Sequence, residues 1–268
     1  MKIFELQSDH VIPFENKTPD IINELRAGIA KLAIEHDSVL CCTLQTKLNP
    51  VNSDIENLLM YNFGTKEFKL HTKNGIVFKH VDNQPENSNV LYTYEMMDKL
   101  KLMEEPLCEY TFEMADSKNR FDYFFALRKV LINDFQYRNT EMLEDRHFKM
   151  MITVKVKDKN SYSIVNKVKP MLDGFTSALH KSLNLSKEEI DELLSRYQSF
   201  DGKYASIWNE CLMPCKHALL PDHRFIFKVD YKNKKSIRMS PMDNLFNEIH
   251  IYVDEADVKN ITFIVKVY

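Results

Sequence analysis

Two spacings of apolar residues recur along the chain, one typical of helices and one typical of strands. In residues 18–36 apolar side chains return every three or four positions behind a Thr-Pro start, which predicts an amphipathic helix with a capped first turn. Residues 37–48 form a nearly continuous apolar run, which is typical of a buried strand. A buried sheet with at least one helix against it is therefore expected early in the chain.

Alternating apolar and polar residues predict most of the remaining strands. These lie at 90–97, 107–114, 148–157, 224–231, 248–253 and 260–268, with a hairpin around Lys-Asn-Gly predicted over 67–81. Helical spacing predicts further helices at 118–134, 164–183 and 186–197. Because strands and helices mix without regular alternation, the predicted fold class is α+β.

A strand, a polar loop and an apolar helical segment follow one another twice. Residues 38–64 and 149–175 share this order, and alignment of Asn57 with Asn166 superimposes the two loops with one gap. The chain is therefore predicted to form two related, tightly packed α+β halves, 1–137 and 138–268, joined near a polar segment. A single domain whose two strand–loop–helix units arose by chance is the alternative.

Composition limits the classes of partner. The chain has 268 residues and a formal net charge of −3, so no overall positive field attracts DNA or an acidic membrane, and a polyanion would need a local patch. No run approaches the about 20 apolar residues that span a bilayer. Five cysteines and an N-terminus without signal-peptide features predict a reducing, cytoplasmic location with no membrane partner.

The loop after the first buried strand carries an acidic sequence motif. The motif is D-x-D-N-x-x-K followed by an Asp four residues after the Lys. The first copy supplies Asp54 and Asn57, with Glu56 in place of the second Asp. This strand, loop and motif resemble those of RusA-type Holliday-junction endonucleases. That family cuts branched DNA as dimers, with divalent metal ions held by aspartates. The first copy departs from the motif at Met60, in the Lys position, and at Gly64, in the last Asp position.

The second copy carries the other half of the same motif. It supplies Asn166, Lys169 and Asp173, whereas Ser163 and Val165 stand where the metal-binding pair belongs. The resemblance covers about thirty residues in each half. It implies that function would depend on the two halves together.

One hypothesis joins the two half-motifs into a composite site. Asp54, Glu56 and Asp173 would hold Mg²⁺ or Mn²⁺, Lys169 would neutralise charge that builds on a phosphate, and Asp243 would add a ligand from a later loop. The alternative is local: Asp54 caps a helix, Glu56 stabilises its positive end, and Asp243 belongs to a turn.

Basic residues cluster in one later segment with a tyrosine among them. They are the predicted nucleic-acid contacts, Lys228, Lys232, Lys234, Lys235 and Arg238. A solvated hairpin tip would explain the same residues.

Four further residues have metal-ligand chemistry, namely Cys211, Cys215, His217 and His223. Only one residue separates Cys215 from His217, an interval far shorter than that in zinc fingers, so zinc is not expected.

Two functions follow from these patterns. The first is a nuclease-like protein that processes DNA or RNA with Mg²⁺ or Mn²⁺. The second is a non-catalytic binding or assembly protein that keeps a degenerate nuclease-like scaffold, its acidic residues serving as helix caps.

Overall fold

The computed structural model describes residues 3–12, 19–48, 55–60, 65–133, 147–181, 188, 214–215, 218–221, 226–229, 235–238 and 245–268. The chain divides into two compact units. The first comprises residues 1–115, 147–166 and 244–268, and the second comprises residues 116–146 and 167–243. The chain therefore leaves the first unit twice and returns to it twice.

The first unit contains a mixed sheet, to which eight of the described strands belong. In chain order these are β1 (Ile3–Ser8), β2 (Val39–Thr46), β3 (Gly75–Val81), β4 (Val90–Met97), β5 (Cys108–Met114), β6 (Phe148–Val156), β9 (Phe246–Glu255) and β10 (Ile261–Val267). Their order across the sheet is β1-β4-β2-β3-β9-β6-β10-β5.

The sheet has the same construction when followed inward from either edge. From one edge the strands are β1, β4, β2 and β3, the first, fourth, second and third of their set in chain order. From the other edge they are β5, β10, β6 and β9, again first, fourth, second and third. In both sets the outer two pairings are antiparallel and the inner one is parallel. The sets meet at antiparallel β3 and β9, where Val77 lies opposite His250 at the centre of the register.

Strand directions determine where the two motif-bearing loops begin. Strand β2 runs parallel to β3, β3 runs antiparallel to β9, and β9 runs parallel to β6. Strands β2 and β6 are therefore antiparallel. The segments that follow them leave the sheet at opposite ends of its strands.

The central strands β2 and β3 are buried on both faces over their first four residues, whereas strands nearer the edges bury one face. Along β4 the residues Val90, Tyr92, Tyr94 and Met96 are buried, and those between them are half-buried. This is the period of two that a strand imposes on its side chains. Three described helices belong to this unit: α1 (Pro19–Ala30), α2 (Ile55–Met60) and α3 (Thr65–His71). Helix α2 lies against β2 and β3, and α1 lies against β1.

The second unit contains helices α4 (Arg120–Leu131) and α5 (Val168–Leu179), together with the paired strands β7 (Ile226–Val229) and β8 (Lys235–Arg238). Helices α4 and α5 approach closely at Gly174, where a Cβ atom would lie 2.4 Å from the Arg120 carbonyl oxygen. Tyr123 and Phe175 pack edge to face beside this contact, with ring centroids 5.5 Å apart. Glycine is therefore required by the helix separation at this point.

The structure confirms the predicted α+β class, corrects one local prediction and adds one strand. The predicted hairpin over 67–81 is wrong in its first half, because residues 65–71 form helix α3 and only Gly75–Val81 is a strand. Strand β1 was not predicted from the sequence. Of the helix predicted at 186–197, the structure describes residue 188 alone, as helical.

The predicted halves, 1–137 and 138–268, both contribute strands to the one large sheet. Their relation by duplication stays a prediction. Among the described residues no helix is long and apolar enough to cross a membrane.

Candidate functional site

The predicted site residues fall in both units. Glu56 lies in α2 of the first unit and is fully buried, whereas Lys169 and Asp173 lie on α5 of the second unit. Asp54 and Asp243 lie outside the described residues. The composite metal site therefore stays a prediction, and the part that the structure brings together is the pair on α5.

Asp173 is the centre of a cluster of ion pairs. Its side chain is 1% exposed, and its Oδ1 atom lies 2.9 Å from Lys169 Nζ, one helical turn earlier on the same face. Its Oδ2 atom lies 2.9 Å from Nη1 of Arg120, the first residue of α4. Each carboxylate oxygen thus faces its own cation.

The start of α4 is held by local hydrogen bonds that place Arg120. The Asn119 side chain caps the helix by accepting from the Phe121 N–H at 3.1 Å. Ser117 donates to the Asp122 carboxylate at 2.5 Å, and its hydroxyl accepts from the Asn119 N–H. With this turn fixed and α4 in contact with α5 at Gly174, the Arg120 side chain reaches Asp173.

The ion pairs in this cluster already occupy the Asp173 carboxylate. Arg120 and Lys169 both pair with it, and both cations are more exposed than the carboxylate. Beside them Lys167 is ion-paired with Asp116 at 2.6 Å. A carboxylate already shared by two cations does not fit the ligand set of Mg²⁺, which requires oxygen atoms facing the metal ion.

The predicted nucleic-acid contacts lie partly on the second unit's two-stranded ribbon. Lys228 lies on β7 opposite Ser236, and on β8 Lys235 lies opposite Val229 and Arg238 opposite Ile226. Lys232 and Lys234 lie outside the described residues. Their role as contacts stays a prediction.

Among the described residues, no group of three or more His, Cys, Asp or Glu side chains is arranged to hold a metal ion. Of the four residues considered for zinc, Cys215 is buried, and Cys211, His217 and His223 lie outside the described residues. On β2, burial raises the pKa of Cys41 to about 11, so this thiol stays protonated near neutral pH.

A second polar cluster lies at the centre of the large sheet and was not predicted. His250 is fully buried on β9; its Nε2 atom lies 2.7 Å from Glu248 and its Nδ1 atom 2.7 Å from the Tyr252 hydroxyl. Lys79 on β3 pairs with the same Glu248 oxygen at 3.2 Å. The Tyr252 hydroxyl accepts from the Leu100 N–H at 3.1 Å. The cluster therefore joins β9 to β3 and to the segment that follows β4.

Replacing Glu248 by glutamine should lower stability in a pH-dependent way. Hydrogen bonding to the His250 ring lowers the pKa of Glu248 to about 2 from its ordinary 4.5. A carboxyl with a lowered folded-state pKa stabilises the fold above its unfolded pKa and loses that effect as the pH falls through the folded value. Denaturant unfolding should show Glu248→Gln less stable than wild type by about 2 kcal/mol at pH 6, after allowance for partial exposure.

The difference should shrink as the pH falls from 4.5 towards 2. Glu109→Gln is the matched control, because Glu109 is nearly half exposed in its pair with Lys266 and such pairs contribute little. A loss of stability in Glu248→Gln that stays constant from pH 6 to pH 2 would show that packing, rather than the carboxylate charge, is responsible.

Sequence reasoning missed Arg120 and the His250 cluster for different reasons. The Lys169–Asp173 spacing is visible in the sequence, but Arg120 reaches Asp173 only because two helices pack together. The alternation of Glu248, His250 and Tyr252 along β9 was a usable signal, since every second residue of a strand lies on one face.

Comparison of the chain with protein-family models, with curated proteins and with solved structures gave no significant match. The class of protein is therefore defined by the fold itself. It is an α+β protein with a mixed sheet in its first unit and an ion-paired helix pair in its second.

Proposed function

We propose that this chain is a non-catalytic nucleic-acid-binding protein, built on a duplicated scaffold that resembles RusA-type endonucleases. The observation that carries the proposal is the pairing of the Asp173 carboxylate with Arg120 and Lys169. In the motif that the sequence resembles, an aspartate at this position would serve a metal ion. Here the same side chain organises two cations that can face phosphate.

Energetics favour this role for Asp173 over metal binding. A metal ion would have to displace Lys169 and Arg120 from a carboxylate that is 1% exposed. The metal ion would compensate the carboxylate, but both ion pairs would be lost and the two displaced cations, left nearby, would repel the metal ion. The second copy also lacks the acidic pair of the motif, with Ser163 and Val165 in those positions.

The strand order supports the duplication part of the proposal. Two sets of four strands with the same order and directions, meeting at Val77 and His250, are what fusion of a two-fold dimer would produce. The family that the motif resembles acts as dimers. Because β2 and β6 are antiparallel, the two motif-bearing loops begin at opposite ends of the strands, as two copies related by a two-fold axis would.

Binding and cleavage can be separated in one experiment. We expect the purified chain to bind fluorescently labelled four-way-junction DNA in an anisotropy titration, with affinity falling steeply between 50 and 200 mM salt, as phosphate-led contacts require (about tenfold or more). We expect no cleavage of that DNA with Mg²⁺ or Mn²⁺ on a denaturing gel. Linear duplex of the same length controls for preference for the branch.

The variant Asp173→Asn distinguishes the two functions derived from the sequence. If the chain is a metal-dependent nuclease, the wild-type protein should cleave the DNA and Asp173→Asn should not. Cleavage that depends on Asp173 would therefore overturn the non-catalytic proposal, and the absence of any binding to branched or linear DNA would overturn its nucleic-acid part.

A further inference from the structure

We infer that two copies of this chain form a two-fold dimer through the β1 edge of the sheet and the exposed face of helix α1. The occupant of this surface is a second copy of the chain. All the residues concerned belong to the first unit, and the inference is independent of the proposed function.

The edge strand β1 offers backbone groups for pairing. Among the strands that the structure describes, β1 is the last on its side of the sheet and pairs with β4 alone. The outer row of N–H and C=O groups on such a strand is a template for another strand. Ile3, at the start of β1, is apolar and yet 53% exposed. A strand added beside β1 would pair this outer row and shield Ile3 from water.

A groove between β1 and α1 leaves space for side chains of a partner. Its volume is about 500 Å³, and the residues that line it include Ile3, Phe4, Glu24, Ala27, Gly28 and Lys31. Lys31 follows α1 directly, and its N–H donates to the Gly28 carbonyl at 3.1 Å, so the helical turn continues through it. The small residues 27 and 28 lie midway between the two charged ones, where they allow a neighbouring helix to approach.

A two-fold axis perpendicular to the sheet satisfies the strand and the helix together. Such an axis makes β1 antiparallel to its copy, which continues the sheet across the two chains. A helix packed on a sheet lies roughly parallel to it, so the same axis also makes α1 antiparallel to its copy. Neighbouring helices lie about 8–10 Å apart, about two strand spacings, so both contacts can form at once.

The charges on this face of α1 are complementary to themselves under the same axis. Glu24 and Lys31 are seven residues apart, so they lie on one side of the helix, about two turns apart. In an antiparallel pair centred between Ala27 and Gly28, Glu24 of each copy faces Lys31 of the other. Both charged residues are exposed, and neither is in an ion pair with another residue that the structure describes. Two reciprocal ion pairs therefore select a second copy as the partner.

Sedimentation velocity of the full chain, from about 1 to 100 μM, tests the dimer, because an interface of one strand and one helix per copy is expected to be of moderate affinity. Wild type should form a dimer whose fraction rises with concentration. Glu24→Lys and Lys31→Glu each turn both reciprocal attractions into repulsions, so each should weaken the dimer about tenfold or more. Arg26→Glu is the matched control, because Arg26 is an exposed cation on the opposite side of α1, and it should dimerise as wild type does.

Mixing the two charge-reversal variants tests the two-fold arrangement itself. Glu24→Lys carries two cations on this face and Lys31→Glu carries two anions, so both ion pairs form again between unlike variants. We expect the equimolar mixture to dimerise about as tightly as wild type, although neither variant does so alone. A contact in which the two residues meet unrelated surfaces of the partner would not be restored by mixing.

Hydrogen exchange measured by mass spectrometry tests the contribution of β1. At a concentration where wild type is dimeric, peptides from β1 and α1 should exchange more slowly in wild type than in Glu24→Lys. Peptides from β5, at the opposite edge of the sheet, should exchange alike in both proteins. Circular dichroism checks that each variant is folded.

Several results would contradict the dimer. A wild-type chain that stays monomeric through the whole range overturns it, and so does a dimer that both charge reversals leave unchanged or that mixing fails to restore. Species that grow beyond the dimer with concentration would show open-ended association rather than a closed two-fold pair, and overturn it as well. Equal exchange of β1 in dimeric wild type and monomeric Glu24→Lys overturns the strand contact.

Discussion

Replacing Gly75 by alanine should destabilise the first unit by about 3 kcal/mol or more, the range reached when strained backbone and steric overlap combine. Gly75 has a φ angle of +134°, a conformation that residues with a side chain rarely adopt. A Cβ atom there would lie 2.1 Å from the Ile251 carbonyl oxygen and 2.9 Å from the Tyr252 Cα atom. Both atoms are backbone of β9, so the overlap cannot be relieved by a rotamer change.

The position of Gly75 explains why the effect should spread beyond one residue. Gly75 begins β3 and lies opposite Tyr252 in the β3–β9 pairing, which joins the two sets of strands. Displacing β9 there would also disturb the Tyr252 hydroxyl and its hydrogen bonds to His250 and Leu100. Urea unfolding followed by circular dichroism measures the loss.

Gly28→Ala is the matched control for Gly75. Gly28 lies within helix α1, where alanine is favoured over glycine by about 1 kcal/mol. The three atoms nearest to the new Cβ atom all belong to the half-buried Phe4 ring on the edge strand β1, so the overlap is relieved by moving a side chain rather than backbone. We expect this variant to lose far less stability than Gly75→Ala. Equal losses in the two variants, or a Gly75→Ala protein within 1 kcal/mol of wild type, would contradict the predicted strain at β3.

Replacing Arg128 by methionine should cost about 3 kcal/mol and fray the C-terminal end of α5. Arg128 lies on α4 and is fully buried. Its guanidinium donates to the carbonyl oxygens of Ala178, His180 and Lys181 at 2.9, 2.6 and 3.2 Å. The last carbonyl groups of a helix have no partner within the helix. Methionine would fill the volume of the arginine side chain but would remove the donor to these buried carbonyl groups.

Hydrogen exchange measured by mass spectrometry locates this effect. Exchange should increase in peptides from the end of α5 and change little in the sheet of the first unit. Lys129→Met is the control, because Lys129 is the exposed neighbour on the same helix. If Arg128→Met retains wild-type stability and exchange, then packing alone holds the end of α5 and the cap is dispensable.

The sequence predicted those elements whose apolar spacing is unambiguous. The strands at 90–97 and 148–157 were found because Tyr92, Tyr94 and their neighbours alternate cleanly, and the helix at 18–36 because its apolar face repeats every turn. Residues 67–71 were misassigned because a short amphipathic run is compatible with both the helical period and the strand period. In the structure these residues belong to helix α3, which contacts α1. Local pattern decides long elements, and tertiary contacts decide short ones.

The candidate site was predictable only as far as one helix extends. Lys169 and Asp173 are separated by a single turn, so their proximity follows from the helix alone. Arg120 lies on another helix, and nothing in its neighbourhood marks it as a partner of Asp173. The hypothesis that Asp173 binds metal therefore did not take Arg120 into account. The pairing with Arg120 is what favours a role for Asp173 in holding cations.

The sequence by itself determined the fold class, the buried strand faces and the Lys169–Asp173 pair, because side-chain period and helical spacing are set by residues close together in the chain. The tertiary structure alone decided the order of strands in the sheet, the matching construction from its two edges and the convergence of Arg120 on Asp173. These depend on contacts between residues far apart in sequence. The energy of such contacts comes from packing and charge compensation, which local patterns do not encode.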